Sequence, residues 1–358
     1  MKVPTAPMIE TREIETAPGL VFDCSVSGDA SAPLVLMLHG FCVSRYFWDN
    51  QIPVLAAAGY FAVAPNQRGY AAGARPDPTN FDNYRIDKLI GDAQDIVTGV
   101  GHGGRRFHLA GHDWGGSLAW IIADRWPERI ASLTMLSRPH PASFARALKI
   151  VREQPHRSRH HQELLDPDAG QKLLAENGQW VRDRLARNGV PREAIEKHLS
   201  VIGNPPAMEA ALAWYRARGE RAPIGPTRVP TLFIWGEADD TVGRIAAEGT
   251  AEFIEADYRF VPLPGVGHYA ADQQPAQISE LLLEGGGKSN GSFLRAGLID
   301  EISLAVCPAV DGARGGPYAF DSREDETDAR APLRSMTLES CEVLEGGAVW
   351  PRYWLQNG

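Results

Sequence analysis

The chain has 358 residues, 44% of them hydrophobic, and a formal net charge of -9. That is enough for one large domain with an appendage, and enough apolar content for a real core. The acidic balance without a basic run argues against a nucleic-acid partner, and no apolar stretch is long enough to span a bilayer. The first residues lack the apolar core of a signal peptide. Cys24, Cys42, Cys307 and Cys341 are widely spaced and show no metal pattern. Reduced thiols and a cytoplasmic setting are therefore the expectation.

Residues 19–26 and 34–38 read as strands, and 59–65 as a helix end followed by a third strand. His39-Gly40-Phe41 follows the second strand. A Gly- and Pro-containing loop covers 66–78. Residues 84–100 have helical periodicity, with Ile86, Leu89, Ile90, Ala93, Ile96 and Val97 on one side. Gly99-Val100-Gly101-His102-Gly103-Gly104 is rich enough in glycine to suggest a phosphate cradle, but it precedes a strand instead of following one. A plain loop is favoured.

Phe107-His108-Leu109-Ala110 reads as a buried strand and residues 117–123 as a helix. Between them stands Gly111-His112-Asp113-Trp114-Gly115-Gly116. This is a strand–turn–helix context in which small residues allow a sharp turn that lifts the middle side chain above a sheet. A carboxylate in that position attacks carbon and becomes an ester. A bare strand–turn–helix corner with an incidental Asp has the same short pattern, so the order of the remaining features matters. Another strand covers 130–136. Trp235-Gly236-Glu237-Ala238-Asp239-Asp240 follows the β-rich Thr231-Leu232-Phe233. Gly267-His268 follows residues 258–263. Nucleophile, acid and histidine then stand in a hydrolytic order, with Asp239 and Asp240 both open as the acid.

Strands alternating with helices predict a parallel sheet covered on both faces. Residues 139–226 break that rhythm. They are rich in Arg, Ala and Leu at helical spacing and read as a helical cap inserted between two strands. His156, His160 and His161 have a spacing that metal ligands use, but a solvated cap face is favoured. A helix is predicted from Pro275 to Glu284, ended by Gly285-Gly286-Gly287. Beyond it, a short helix at 292–296, a strand at 301–307, an acidic surface loop at 321–330 and a strand pair at 338–344 and 349–355 are predicted.

About the first 284 residues resemble the α/β-hydrolases of the epoxide hydrolase and haloalkane dehalogenase group. His39-Gly40-Phe41, residues 64–70, Gly111 to Gly116, Pro139-His140-Pro141, Ala213-Trp214-Tyr215-Arg216, Trp235-Gly236 and Gly267-His268 carry the likeness. It implies an α/β-hydrolase core over 1–138 and 227–284 with a cap over 139–226. It also implies Asp113 as nucleophile, His268 as base, Asp239 as its orienting acid, and the amides of Phe41 and Trp114 as the oxyanion hole. No cofactor or metal is implied; the partners are a small electrophilic substrate and water.

An epoxide leaving oxygen needs a donor, and the resemblance implies two cap tyrosines. Tyr215 fits one. The other has no counterpart in 157–162, where His160 and His161 stand instead. Cys42 occupies a position where this group usually carries proline. Phe41 stands where dehalogenases usually carry asparagine, which makes dehalogenation the second reading. His39 and His112 flank the site and are expected to fix loops.

The remaining chain resembles the dihydrofolate-reductase-like reductase domain of riboflavin biosynthesis. Residues 281–287, 293–301 and 347–353 carry that likeness. It covers only the C-terminal part of that fold, so 285–358 is expected to be a small α+β fragment and its triple glycine a relic. Reductase chemistry with NADPH is the alternative of another class. Exposed strand edges there imply self-association.

Overall fold

The computed structural model describes residues 7–17, 19–217, 223–283, 301–303, 336–343 and 349–355. The first strands are β1 (Glu10–Ala17), β2 (Leu20–Ser27) and β3 (Leu34–Leu38), followed by α1 (Ile52–Ala57), β4 (Phe61–Pro65) and α2 (Ile86–Gly99). Then come β5 (Phe107–His112), α3 (Asp113–Arg125) and β6 (Ile130–Leu136). Among the described residues, six helices separate β6 from the next strand: α4 (Pro141–Ile150), α5 (Glu153–Arg157), α6 (His160–Glu163), α7 (Ala169–Arg187), α8 (Arg192–Ile202) and α9 (Pro205–Arg216). Helix α7 is broken at Ala175–Gly178, where φ turns positive at Glu176, Asn177 and Gly178. The core resumes with β7 (Thr231–Gly236), α10 (Arg244–Glu248), β8 (Tyr258–Leu263), α11 (Ala270–Gln273) and α12 (Pro275–Leu283).

Strands β1 to β8 form one sheet in the order β1-β2-β4-β3-β5-β6-β7-β8. From β4 to β8 the neighbours are parallel, and every residue of β3 and β4 is buried, as a sheet covered on both faces requires. The expected parallel sheet thus runs from β4 to β8, and one edge adds antiparallel strands: β1 pairs antiparallel with β2, and β2 antiparallel with β4. Strand β1 has a single buried residue, Ile14, and four charged ones, Glu10, Arg12, Glu13 and Glu15. That composition suits a solvated edge, where charge discourages further strand pairing.

The stripe on α2 is buried as its spacing predicts, at Leu89, Ile90, Ala93, Ile96 and Val97. Helix α12 forms over the stretch predicted to be helical, ending at Leu283. Its start is tied to the core by Gln51, whose Nε2 donates to the Pro275 carbonyl at 3.3 Å, and Ile278 is fully buried.

The chain divides into two units, Met1–Ser279 and Glu280–Gly358. In the second, β9 (Glu301–Ser303), β10 (Met336–Val343) and β11 (Val349–Leu355) form an antiparallel sheet in the order β10-β11-β9. Leu338 and Val343 on β10 are exposed. The helix expected at 292–296, the triple glycine and the acidic loop at 321–330 lie outside the described residues.

Candidate active site

The elbow is built as its residues suggest. Strand β5 ends at His112, and α3 begins at Asp113, whose φ of 50° is in the left-handed region. A non-glycine residue there stores about 1–3 kcal/mol of strain and persists because its surroundings fix it. Those surroundings include close backbone approaches. A Cβ on Gly115 would lie 2.3 Å from the Leu38 carbonyl oxygen, and one on Gly40 would lie 2.4 Å from the Asp113 Cβ. Glycine at both positions lets the loop after β3 close on the elbow. The Gly115 amide completes the junction by donating to the His39 carbonyl at 3.1 Å.

Asp113 is almost fully buried, and its Oδ1 accepts the Phe41 N–H at 3.0 Å. The Trp114 amide belongs to the first turn of α3, where N–H groups have no acceptor within the helix. His268 Nε2 stands 3.8 Å from Asp113 Oδ2, and its Nδ1 stands 2.8 Å from Asp239 Oδ2. The other Asp239 oxygen accepts from the Thr241 and Val242 amides at 2.7 and 2.9 Å. Asp240 points elsewhere: it is half-exposed and meets Arg184 at 3.5 Å. Of the two adjacent carboxylates, Asp239 is the one against the ring.

Burial opposes charge on His268, but the Asp239 and Asp113 carboxylates outweigh it and raise the ring pKa to about 10. Burial likewise opposes ionisation of Asp113, and His268, with a smaller contribution from Arg138, overcomes it, holding the carboxyl well below its ordinary range. The resting site is thus an imidazolium between two carboxylates.

The flanking histidines are fixed and neutral. The Gln67 amide donates to His39 Nε2 at 3.2 Å, so His39 Nδ1 carries the proton and donates to the Gly40 carbonyl at 2.9 Å. His112 Nε2 is 3.0 Å from the His268 carbonyl oxygen and donates to it. Burial pushes both rings down to a pKa of about 3.

Tyr215 on α9 reaches the same narrow cavity as Asp113 and His268, with Phe41, His160 and Arg184 in its walls. Its ring stands edge-on to Phe41 and Trp114, with centroids 5.3 and 5.1 Å away. Burial and then the Asp113 charge hold its hydroxyl well above the ordinary tyrosine range, so it stays protonated. His160 occupies the cap stretch that lacks a tyrosine. Its Nδ1 is 3.2 Å from the Arg157 carbonyl oxygen, which can only accept. Burial lowers the ring pKa to about 4. The neutral ring therefore presents a lone pair at Nε2 and is no proton donor there. His161 lies beside it, with its ring 5.9 Å from that of Tyr215.

Cys42 adopts φ 69°, a conformation closed to the proline that the resemblance places there. Its thiol is buried, and burial first raises its pKa to about 12, which leaves it unreactive.

Sequence reasoning missed Arg184 and Tyr269. Arg184 donates to the Tyr269 hydroxyl at 3.3 Å and to Thr241 Oγ1 at 3.1 Å. It also missed Asn188 and Arg157, which hold main-chain atoms of His268 and Asp239. Among the described residues no group of His, Cys, Asp and Glu is arranged to hold a metal ion, and no helix is long and apolar enough to cross a membrane.

A family profile described as "alpha/beta hydrolase fold" matches residues 33–275, and one for the RibD C-terminal domain matches 272–349. The chain is 30% identical over 275 residues to the AB hydrolase superfamily protein YfhM of Bacillus subtilis, covering 74% of this chain and 94% of that protein. It is 30% identical over 276 residues to human epoxide hydrolase 4, covering 74% of this chain and 75% of that protein. Among solved structures, one of the novel epoxide hydrolases found in metagenomes from hot environments matches with a TM-score of 0.67 and 27% identity, over 77% of this chain and 97% of that one. On these matches the protein belongs to the α/β-hydrolase family and is an epoxide-hydrolase-like member of it.

Proposed function

We propose that the protein hydrolyses an epoxide through a covalent ester on Asp113. One observation carries this reading: a strained, buried carboxylate stands where its Oδ1 meets a main-chain N–H and its Oδ2 faces a histidine already paired with a second carboxylate. An Asp Oδ atom attacks a ring carbon, the carbon–oxygen bond breaks, and the departing oxygen is supported by the Tyr215 hydroxyl. Esterification neutralises Asp113. His268 then loses one of the two carboxylates that held its pKa up, so it sheds its proton to the new alkoxide and becomes a base.

The neutral ring next takes a proton from water, and the resulting hydroxide attacks the ester carbonyl. The Phe41 and Trp114 amides support the oxyanion, and Asp239 stabilises the imidazolium. Collapse releases the diol, which takes the ring's proton. The carboxylic acid left on Asp113 gives its own proton to His268, restoring the starting state. The sum is epoxide plus water to diol, with no cofactor.

The test uses His268→Gln, which retains the nucleophile and lacks the base. Exposed to styrene oxide and to a bromoalkane, it should accumulate a mass adduct on the peptide containing Asp113 with the epoxide. In a parallel steady-state comparison, Tyr215→Phe should lose at least about tenfold in epoxide turnover, as removal of one charge-stabilising donor does. An adduct from the bromoalkane alone would favour the dehalogenase reading. Normal turnover by His268→Gln would remove the mechanism.

A further inference from the structure

His198 takes no part in the chemistry above, yet it is completely buried in a chain of buried polar groups. Ser44 Oγ lies 3.0 Å from its Nδ1, and Asp272 Oδ2 lies 3.0 Å from its Nε2. Exposures of 0% for Ser44 and His198 and 2% for Asp272 keep substrate away from all three, so this Ser–His–Asp series is no second nucleophile. The Ser44 main-chain N–H also points at Nδ1, at 3.2 Å. An amide N–H only donates, so Nδ1 is the lone-pair nitrogen and Nε2–H donates to Asp272. One tautomer is fixed.

The three residues come from three places. His198 is on α8, in the inserted helical segment. Ser44 follows Phe41 by three residues, in the turn that delivers the Phe41 amide to Asp113. Asp272 is on α11, four residues beyond His268. Other side chains of the inserted segment hold the other catalytic loops in the same manner. Asn188 Oδ1 accepts the His268 N–H at 2.9 Å, and Arg157 Nη1 donates to the Asp239 carbonyl at 2.6 Å. Nucleophile-facing amide, base and acid are each tied to the cap by a polar side chain.

We propose that His198 is a positioning residue for ester hydrolysis: it locks the Phe41 turn against the His268 turn, so that seating of the cap assembles the oxyanion site. The proposal rests on the covalent-ester reading above and makes an asymmetric prediction about its two steps. In the first step, charge develops on the substrate oxygen beside Tyr215. In the second, it develops on the Asp113 carbonyl oxygen, where the Phe41 N–H acts. A small displacement of the Phe41 turn therefore slows the second step more than the first.

The experiment is rapid-quench mass spectrometry of the whole chain with styrene oxide, for wild type, His198→Ala and Asp272→Asn. Ester formation in the variants should stay within about threefold of wild type, while ester hydrolysis falls at least about tenfold, a fraction of the loss from deleting one oxyanion donor outright. Ester then accumulates, and kcat falls more than kcat/KM. Should His198→Ala fail to fold, Asp272→Asn keeps the side-chain shape and carries the comparison. Equal slowing of both steps, or no change in either, would overturn the proposal.

A second arm is independent of catalysis. Nitrogen-15 NMR of the histidine rings in the resting wild type should show His198 neutral with its proton on Nε2. A proton on Nδ1 would overturn the strut. Failure of His268→Gln to form any ester would count against the covalent reading and leave the NMR result standing.

Discussion

At the scale of single residues, the site works by opposing charges held where water is scarce. His268 has its pKa raised to about 10 because two carboxylates outweigh its burial. An unfolded histidine titrates near ~6.5. The ring's contribution to stability is therefore fully present below about pH 6.5 and is lost as pH rises toward 10. Asp113, depressed by the same pairing, contributes above the ordinary carboxylate pKa and loses that contribution as pH falls through its lowered value. Comparison of wild type with Asp113→Asn isolates their coupling. The melting temperature of wild type relative to the variant should be highest near pH 6 and decline steadily to pH 10, where the buried carboxylate loses its charged partner. A difference that stays constant across that range would mean that the ring is not charged beside Asp113 in the resting enzyme.

At the scale of elements, the legible parts of the sequence were those with a physical period or a steric demand. The apolar runs at 34–38 and 130–136 coincide with β3 and β6, and the glycine-flanked Asp113 sits at the sharp turn from β5 to α3. Strand β1 went unread because its only buried side chain is Ile14; antiparallel pairing with β2, a long-range event, makes it a strand. The helical spacing over 139–226 gives no sign of the break in α7, where Glu176, Asn177 and Gly178 take the left-handed conformation. Arg157, Arg184, Asn188 and His198 all lie in the stretch read only as helical, 139–226. Their partners are 82, 57, 80 and 74 residues away in the chain, so no local pattern announces them. The choice between Asp239 and Asp240 was open for a related reason: adjacent residues point to opposite sides, and only the fold says which side holds the histidine.

At the scale of the whole molecule, the chain carries a sheet of eight strands with all the proposed catalytic groups in the unit Met1–Ser279, and a separate small sheet in Glu280–Gly358. The family matches divide the same way, at 33–275 and 272–349. The exposed Leu338 and Val343 on β10 give the smaller unit an apolar strand face, a feature that promotes association. Truncation after Glu284 should leave epoxide turnover within about twofold of the full chain and reduce concentration-dependent association in size-exclusion chromatography. A truncated chain that fails to fold would show that the two units are one structure. The bond between Asp113 and the substrate is followed most directly by oxygen-isotope labelling. If the ester forms on Asp113, then in one turnover of excess wild-type enzyme with an epoxide in ¹⁸O-enriched water the attacking oxygen of the first diol comes from that carboxylate. The expected outcome is an unlabelled diol and ¹⁸O in the peptide containing Asp113. A labelled diol with an unlabelled Asp113 peptide would mean that water attacks the substrate directly, and would contradict the covalent ester.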